Sequence, residues 1–141
     1  MNTITSLHVY FNHGSDSTEA LAERQIARVT DPAGEGSRAF LALDQDGVKH
    51  AAHESQQRIK GGDLRPLEGI TISIKDLFDV KGEVTGAGST VLRSRPSATE
   101  DCPAVARLRQ AGAILLGRNN MVEFAYSGVG INPHFGTPRN A

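Results

Sequence analysis

The apolar positions of the chain fall into two regimes. As far as Gly62 they recur mainly at helical spacing, and beyond it they alternate or gather in short runs. The first dozen residues carry no reliable pattern. Asp16 followed at the third position by Glu19 reads as a capping box, and Ala22, Ile26 and Val29 then recur at i, i+4 and i+7 until Asp31-Pro32 stops the helix after Thr30. A loop from Ala33 to Ser37 leads into Arg38–Leu43, which reads as a strand, and Asp46-Gly47 reads as a turn. From Val48 to Lys60 the residues Val48, Ala51, Ala52, Ser55 and Ile59 share one helical face, and Gly61-Gly62 supplies the stop. Residues 1–62 are therefore expected to form a helical region, two amphipathic helices around a short extended piece.

Residues 63–141 read differently. Pro66 to Gly69 is a turn, and Ile70 to Lys75 alternates with period two, isoleucines to one side and Thr71, Ser73 and Lys75 to the other. A Gly-rich connection runs from Asp76 to Glu100. Asp101 is expected to cap a helix with Pro103 in its first turn, apolar at Val105, Leu108 and Ala111 and ended by Gly112. Ala113 to Gly117 predicts a second strand, and Asn120 to Glu123 a capping box for a short helix. Strand, helix, strand is a βαβ unit with parallel strands, so the fold class is α/β. In such a sheet ligands bind beyond the carboxyl ends of the strands, which is where Lys75 and Asn119 fall. The connection leaving Lys75 is also longer than a purely structural loop usually is.

Composition narrows the function classes. The chain has 141 residues, 38% of them hydrophobic, enough for one core. Its 15 Lys plus Arg against 16 Asp plus Glu give a formal net charge of −1. That balance lacks the basic footprint of nucleic-acid or anionic-membrane binding. The longest apolar run, Ala113 to Leu116, is far short of the ~20 residues that span a bilayer. A single cysteine, Cys102, allows no internal disulfide and suits a reducing compartment, so a cytoplasmic location is expected.

Most chemical motifs fail on inspection. Gly82 to Thr90 lacks the lysine of a P-loop, and neither Gly86-Ala87-Gly88 nor Gly128-Val129-Gly130 completes a dinucleotide fingerprint. Neither G-x-S-x-G nor S-x-x-K occurs. His50 and His53 stand one helical turn apart but point away from the apolar face and lack a third ligand, so they read as a solvated pair and no metal is expected. Cys102 reads as a small, partly buried thiol. Lys75 has two readings: a lysine snorkelling from a half-exposed strand, or a base. A base must shed its proton near neutral pH, which only desolvation or neighbouring positive charge promotes. Ser73 shares its face but sits about 6.6 Å away along a strand, too far for a ready relay, so a nucleophile must come from elsewhere.

Three stretches together carry a resemblance: Gly69 to Ser89 (GITISIKDLFDVKGEVTGAGS), Asp101 to Ala125 (DCPAVARLRQAGAILLGRNNMVEFA) and Ser127 to Asn140 (SGVGINPHFGTPRN). In order and spacing they resemble the amidase signature family. The resemblance implies the N-terminal portion of that fold, a mixed β-sheet core flanked by helices with two N-terminal helices. It implies hydrolysis or transfer of a carboxylic amide by a Ser–cis-Ser–Lys triad, with no cofactor and no metal. Lys75 then takes the place of the catalytic lysine, while Tyr126, Ser127 and Gly128 match a loop bordering the family's substrate pocket. Asn120, Arg118 and Ala141 replace the family's usual Thr, Lys and Pro.

The family's Gly/Ser-rich segment, with both serines and the oxyanion-hole amides, is expected after Asn140, so the chain reads as an N-terminal fragment, inactive alone. The implied partner is a small-molecule amide substrate, with no nucleic acid contact from this segment and no membrane; a homodimer is left open. The glutaminase subunit of a tRNA-dependent amidotransferase is the first alternative. A truncated product or binding module is the second.

Overall fold

A computed structural model describes residues 3–140. Helix α1 (Ile4–His13) opens on a reciprocal cap in which Thr3 accepts from the Ser6 amide and Ser6 accepts from the Thr3 amide, and Gly14 closes it in the left-handed conformation. No periodicity announced this helix, because Phe11 is its one buried side chain. Helix α2 (Thr18–Thr30) begins one residue later than expected: Ser17, not Asp16, caps it by accepting from the Ala20 amide. Asp16 is instead held by Arg24, whose hydrogen bond draws its carboxyl below the usual range.

The Arg38–Leu43 stretch divides into a single helical turn, α3 (Gly36–Ala39), and the strand β1 (Phe40–Ala42). Asp46-Gly47 is not a turn but the start of α4 (Gln45–Lys60), because Asp44 accepts from the Gly47 amide at 3.0 Å and caps the helix there. Strand β2 (Thr71–Lys75), helix α5 (Pro103–Gln110) and strand β3 (Ile114–Asn119) form the expected βαβ unit. Cys102, not Asp101, occupies the cap position of α5; Asp101 accepts from the Lys81 amide and pairs with Arg109. A 3₁₀ turn (Glu123–Ala125) follows β3.

Among the described residues the sheet has the order β1-β3-β2 and is mixed, β2 parallel to β3 and β1 antiparallel to it. Helices cover it from both sides. Ala22 and Ile26 of α2 and Val48 and Ala52 of α4 pack with Ile114 and Leu116 of β3. Val105 of α5 packs with Ile74 of β2 and with Val80 of the connection that follows it. Full burial of each Val, Ile or Leu among these stabilises the fold by roughly 1.5–3 kcal/mol, and of each Ala by less. The expected single isoleucine face is split. Ile70 packs with Phe11, Leu21 and Ile59, Ile74 packs beneath α5, and Ile72 touches both groups. The cause is local: Ile70 still belongs to the preceding turn, and the β2–β3 register shifts between Ile72 and Ser73.

One polar group ties α4 to the turn before β2. Glu68 is fully buried and accepts from Ser55 (2.5 Å) and Arg58 (3.0 Å), while Arg65 closes on its other oxygen. Burial pushes this carboxyl up, but the three donors together hold it below its ordinary 4.5. Gly112, at φ +97, lies against it, where a Cβ would stand 2.7 Å from Oε2 and 2.8 Å from the Glu68 Cα. No helix among the described residues is long and apolar enough to cross a membrane.

Candidate active site

Parallel pairing puts Lys75 opposite Asn119, so both residues stand at the carboxyl edge of the sheet. Alternation along β2 buries Ile74 and leaves Ser73 and Lys75 exposed. The chain then bends at once, Leu77 and Phe78 both donating to the Lys75 carbonyl at 2.6 and 3.2 Å. The described residues do not enclose Lys75.

The segment after Lys75 is far more constrained than its loop composition suggested. Asp76 is fully buried. Its amide continues the ladder to the Asn119 carbonyl at 3.2 Å, and its carbonyl accepts from Ala87 at 2.7 Å. Its carboxylate accepts from Gly86 (3.2 Å) and Gly88 (3.0 Å). Arg118 of β3, 3% exposed, lies 3.4 Å from the same carboxylate. That guanidinium also donates to Glu83 at 2.7 Å, to the Phe78 carbonyl from two nitrogens at 3.1 and 3.0 Å, and to Thr85 at 3.3 Å. A buried arginine persists only when its charge and donors are met, and here they are.

The Gly86–Ser89 stretch passes this order on to the segment after β3. The Ala87 carbonyl accepts from Phe124 (2.9 Å), and the Gly88 carbonyl accepts from buried Asn132 (2.8 Å), which also donates to the Met121 carbonyl at 2.6 Å. Gly88, at φ +65, passes so near that a Cβ would lie 2.6 Å from the Met121 carbonyl oxygen. Ser89 donates to Glu123 at 2.6 Å, and His134 meets the same oxygen at 3.1 Å. The Ser89 hydrogen bond, with His134 adding to it, keeps the Glu123 carboxyl below its usual range.

Three non-glycine residues adopt left-handed backbone here, Ala87 (φ 51), Phe124 (φ 53) and Ala125 (φ 55). Such conformations cost of order 1–3 kcal/mol each and persist where surrounding contacts impose them, commonly at functional sites. The strained turn exposes Tyr126 almost completely, at 94%, and shapes a cleft of about 410 Å³ lined by Glu123, Phe124, Tyr126, Ser127 and Ile131. Of the residues singled out from sequence, Tyr126 and Ser127 thus share a cleft, whereas Gly128 and Lys75 lie outside its lining.

One expected feature changes role. Asn120 and Glu123 do not form a capping box: Asn120 accepts from the Met121 amide and donates to the Arg38 and Gly136 carbonyls, and Glu123 is engaged by Ser89 and His134. His50 and His53 are exposed and meet Glu54 and Glu19, and no group of metal-ligating side chains gathers among the described residues. Cys102 is half-buried. Sequence reading gave Asp76 and Asn132 no role and named Arg118 only as a departure from the usual Lys. The one signal for Arg118 was its place at the end of an otherwise apolar strand, where a charge needs a buried partner.

Comparison with known proteins gives this geometry a context. The chain is 41% identical over 102 residues to the glutamyl-tRNA(Gln) amidotransferase A-subunit of Aromatoleum aromaticum, covering 72% of this chain and 21% of that protein. It is 46% identical over 84 residues to the AtzE subunit of 1-carboxybiuret hydrolase from a Pseudomonas species, covering 60% of this chain and 18% of that protein. The native peptide amidase of Stenotrophomonas maltophilia superposes with a TM-score of 0.83 at 29% identity, over 99% of this chain and 30% of its own length. The chain thus spans less than a third of each of these proteins. The Amidase family model matches residues 22–141, a range that includes the βαβ unit, Lys75, Asp76 and the strained turn, and the chain therefore belongs to the amidase family.

Proposed function

We propose that this segment supplies the catalytic lysine and one wall of the substrate cleft to an amide hydrolase whose other residues complete the site. The observation that carries the reading is the position of Lys75: a strand-end amine at the ligand-binding edge of a parallel pair, beside a loop hydrogen-bonded from end to end. In this reading the neutral Lys75 amine takes a proton from a bridging serine, which takes one from the nucleophilic serine. The nucleophile adds to the amide carbonyl, backbone N–H groups hold the oxyanion, and the amine leaves with the returned proton. Water then cleaves the acyl-enzyme.

Tyr126, Ser127 and Gly128 border the substrate. The division into a helical region, 1–62, and the first part of the catalytic core, 63–141, belongs to the same reading, as does action in the cytoplasm. The segment alone, without the serines, is inactive. In the full-length enzyme Lys75→Ala is expected to lower turnover of a simple amide by about 10²–10⁴-fold while the protein still melts cooperatively. Undiminished turnover would remove Lys75 from the mechanism.

A second reading is favoured by the match to an amidotransferase subunit over 72% of the chain. In it the same chemistry releases ammonia from glutamine for transfer by partner subunits. Glutamine-dependent ammonia release with little hydrolysis of other amides distinguishes it from the first.

A further inference from the structure

Every polar atom of Asp76 is engaged. Its amide is tied to β3, its carbonyl to Ala87, and its two carboxylate oxygens to Gly86 and Gly88, with Arg118 as counter-ion. The residue is joined to Lys75 by one peptide bond, and the Lys75 carbonyl is itself taken by Leu77 and Phe78. From Asp76 the hydrogen bonds continue through Ala87 to Phe124 and through Gly88 to Asn132 and Met121. A continuous set of short contacts thus links the base of Lys75 to the turn that lines the cleft beside Tyr126 and Ser127.

We infer that Asp76 is a positioning residue: it sets where the Lys75 amine stands relative to the cleft, and Arg118 makes that placement sustainable by neutralising a carboxylate with no access to water. The inference rests on the proposed role of Lys75 as the base. A carboxylate serves here where an amide would not. Two converging backbone N–H groups need two acceptor oxygens, and an asparagine offers one oxygen and turns a donor toward the other N–H. Arg118 uses more donors than a lysine has, so it fixes the bend at Phe78, Glu83 and Thr85 as well as Asp76.

The test uses the full-length enzyme, with kcat and KM measured per nucleophile titrated by a serine-directed acylating reagent, so that unfolded protein is not counted. Asp76→Asn should lower kcat by about 10- to 100-fold with KM within about threefold, because misplacing a reacting group by about 1 Å acts on the chemical step. Arg118→Met should follow it, and Arg118→Lys, which keeps a cation beside Asp76 but has too few donors for Phe78, Glu83 and Thr85 as well, should recover only part of that loss. Should Asp76→Asn fail to fold, Asp76→Glu keeps a buried carboxylate but moves both acceptors by a methylene, and is read by the same criterion. A folded Asp76 variant with the parent's kcat per titrated site, or a loss confined to KM, overturns the inference while leaving Lys75 as the base. Undiminished turnover in Lys75→Ala removes the base and the inference with it.

Discussion

At the scale of single residues, the decisive feature is how completely the buried charges are answered. Glu68, Asp76 and Arg118 are each at most 3% exposed, and each meets an opposite charge and several hydrogen-bonding partners. Left without partners, charges so placed would be strongly destabilising. Glu68 offers a measurable consequence. Its folded-state carboxyl lies below its ordinary 4.5, so ionised Glu68 contributes stability above that pH, and the contribution is lost as pH falls through the folded-state value. Glu68→Gln should therefore destabilise by about 1–3 kcal/mol at pH 7, and the gap from the parent should narrow steadily below pH 4.5. Urea unfolding at several pH values measures this, and a gap independent of pH would mean the carboxylate's ionisation does not matter to folding.

At the scale of elements, the contacts that place the site lie between segments distant in sequence. Helices α2 and α4 hold β3 through Ala22, Ile26, Val48 and Ala52 against Ile114 and Leu116. Ile26→Ala should cost about 2–5 kcal/mol, read as a fall in the unfolding midpoint, since it empties a closed core. A loss below about 0.5 kcal/mol would show that the α2–β3 packing is loose. The segment after β3 is tied back in the same way. Asn120 donates to the Arg38 and Gly136 carbonyls, and the Arg139 amide donates to Glu35, whose carboxyl Arg38 in the first place holds down at about 2. At Gly88, which combines positive φ with a 2.6 Å approach to Met121, alanine should lower both activity and melting temperature. Normal behaviour of Gly88→Ala would mean that loop can move without consequence.

At the scale of the whole molecule, the described residues leave the proposed site open. Lys75 is exposed, and Tyr126 and Ser127 line an open cleft beside strongly exposed Val129 and Ile131. The proposed base and cleft belong to a fold of which this chain covers 30% in the peptide amidase comparison. The 141-residue chain by itself should accordingly show no amide hydrolysis above buffer. Lysine-dependent turnover by the isolated chain would contradict the proposed division of the triad.

The strongly periodic parts were legible from the residues alone: α2, α4, the parallel β2–β3 pair with α5 between them, and Lys75 at the strand end beside Asn119. These depend on the period of apolar positions and on Gly and Pro stops, which act within a few residues. Helix α1 was invisible because it buries one side chain; the caps at Asp16 and Asp101 were misread because a neighbouring residue met the orphan amide or held the cap position, and Asp46-Gly47 read as a turn although Asp44 caps a helix through it. The buried junctions at Asp76–Arg118 and Glu68, and the left-handed turn at Phe124-Ala125, were decided only in three dimensions. An acidic residue after a strand looks like any loop aspartate until the chain brings a guanidinium from another strand to it, and desolvation then turns an ordinary charge into the group on which the surrounding loops are built.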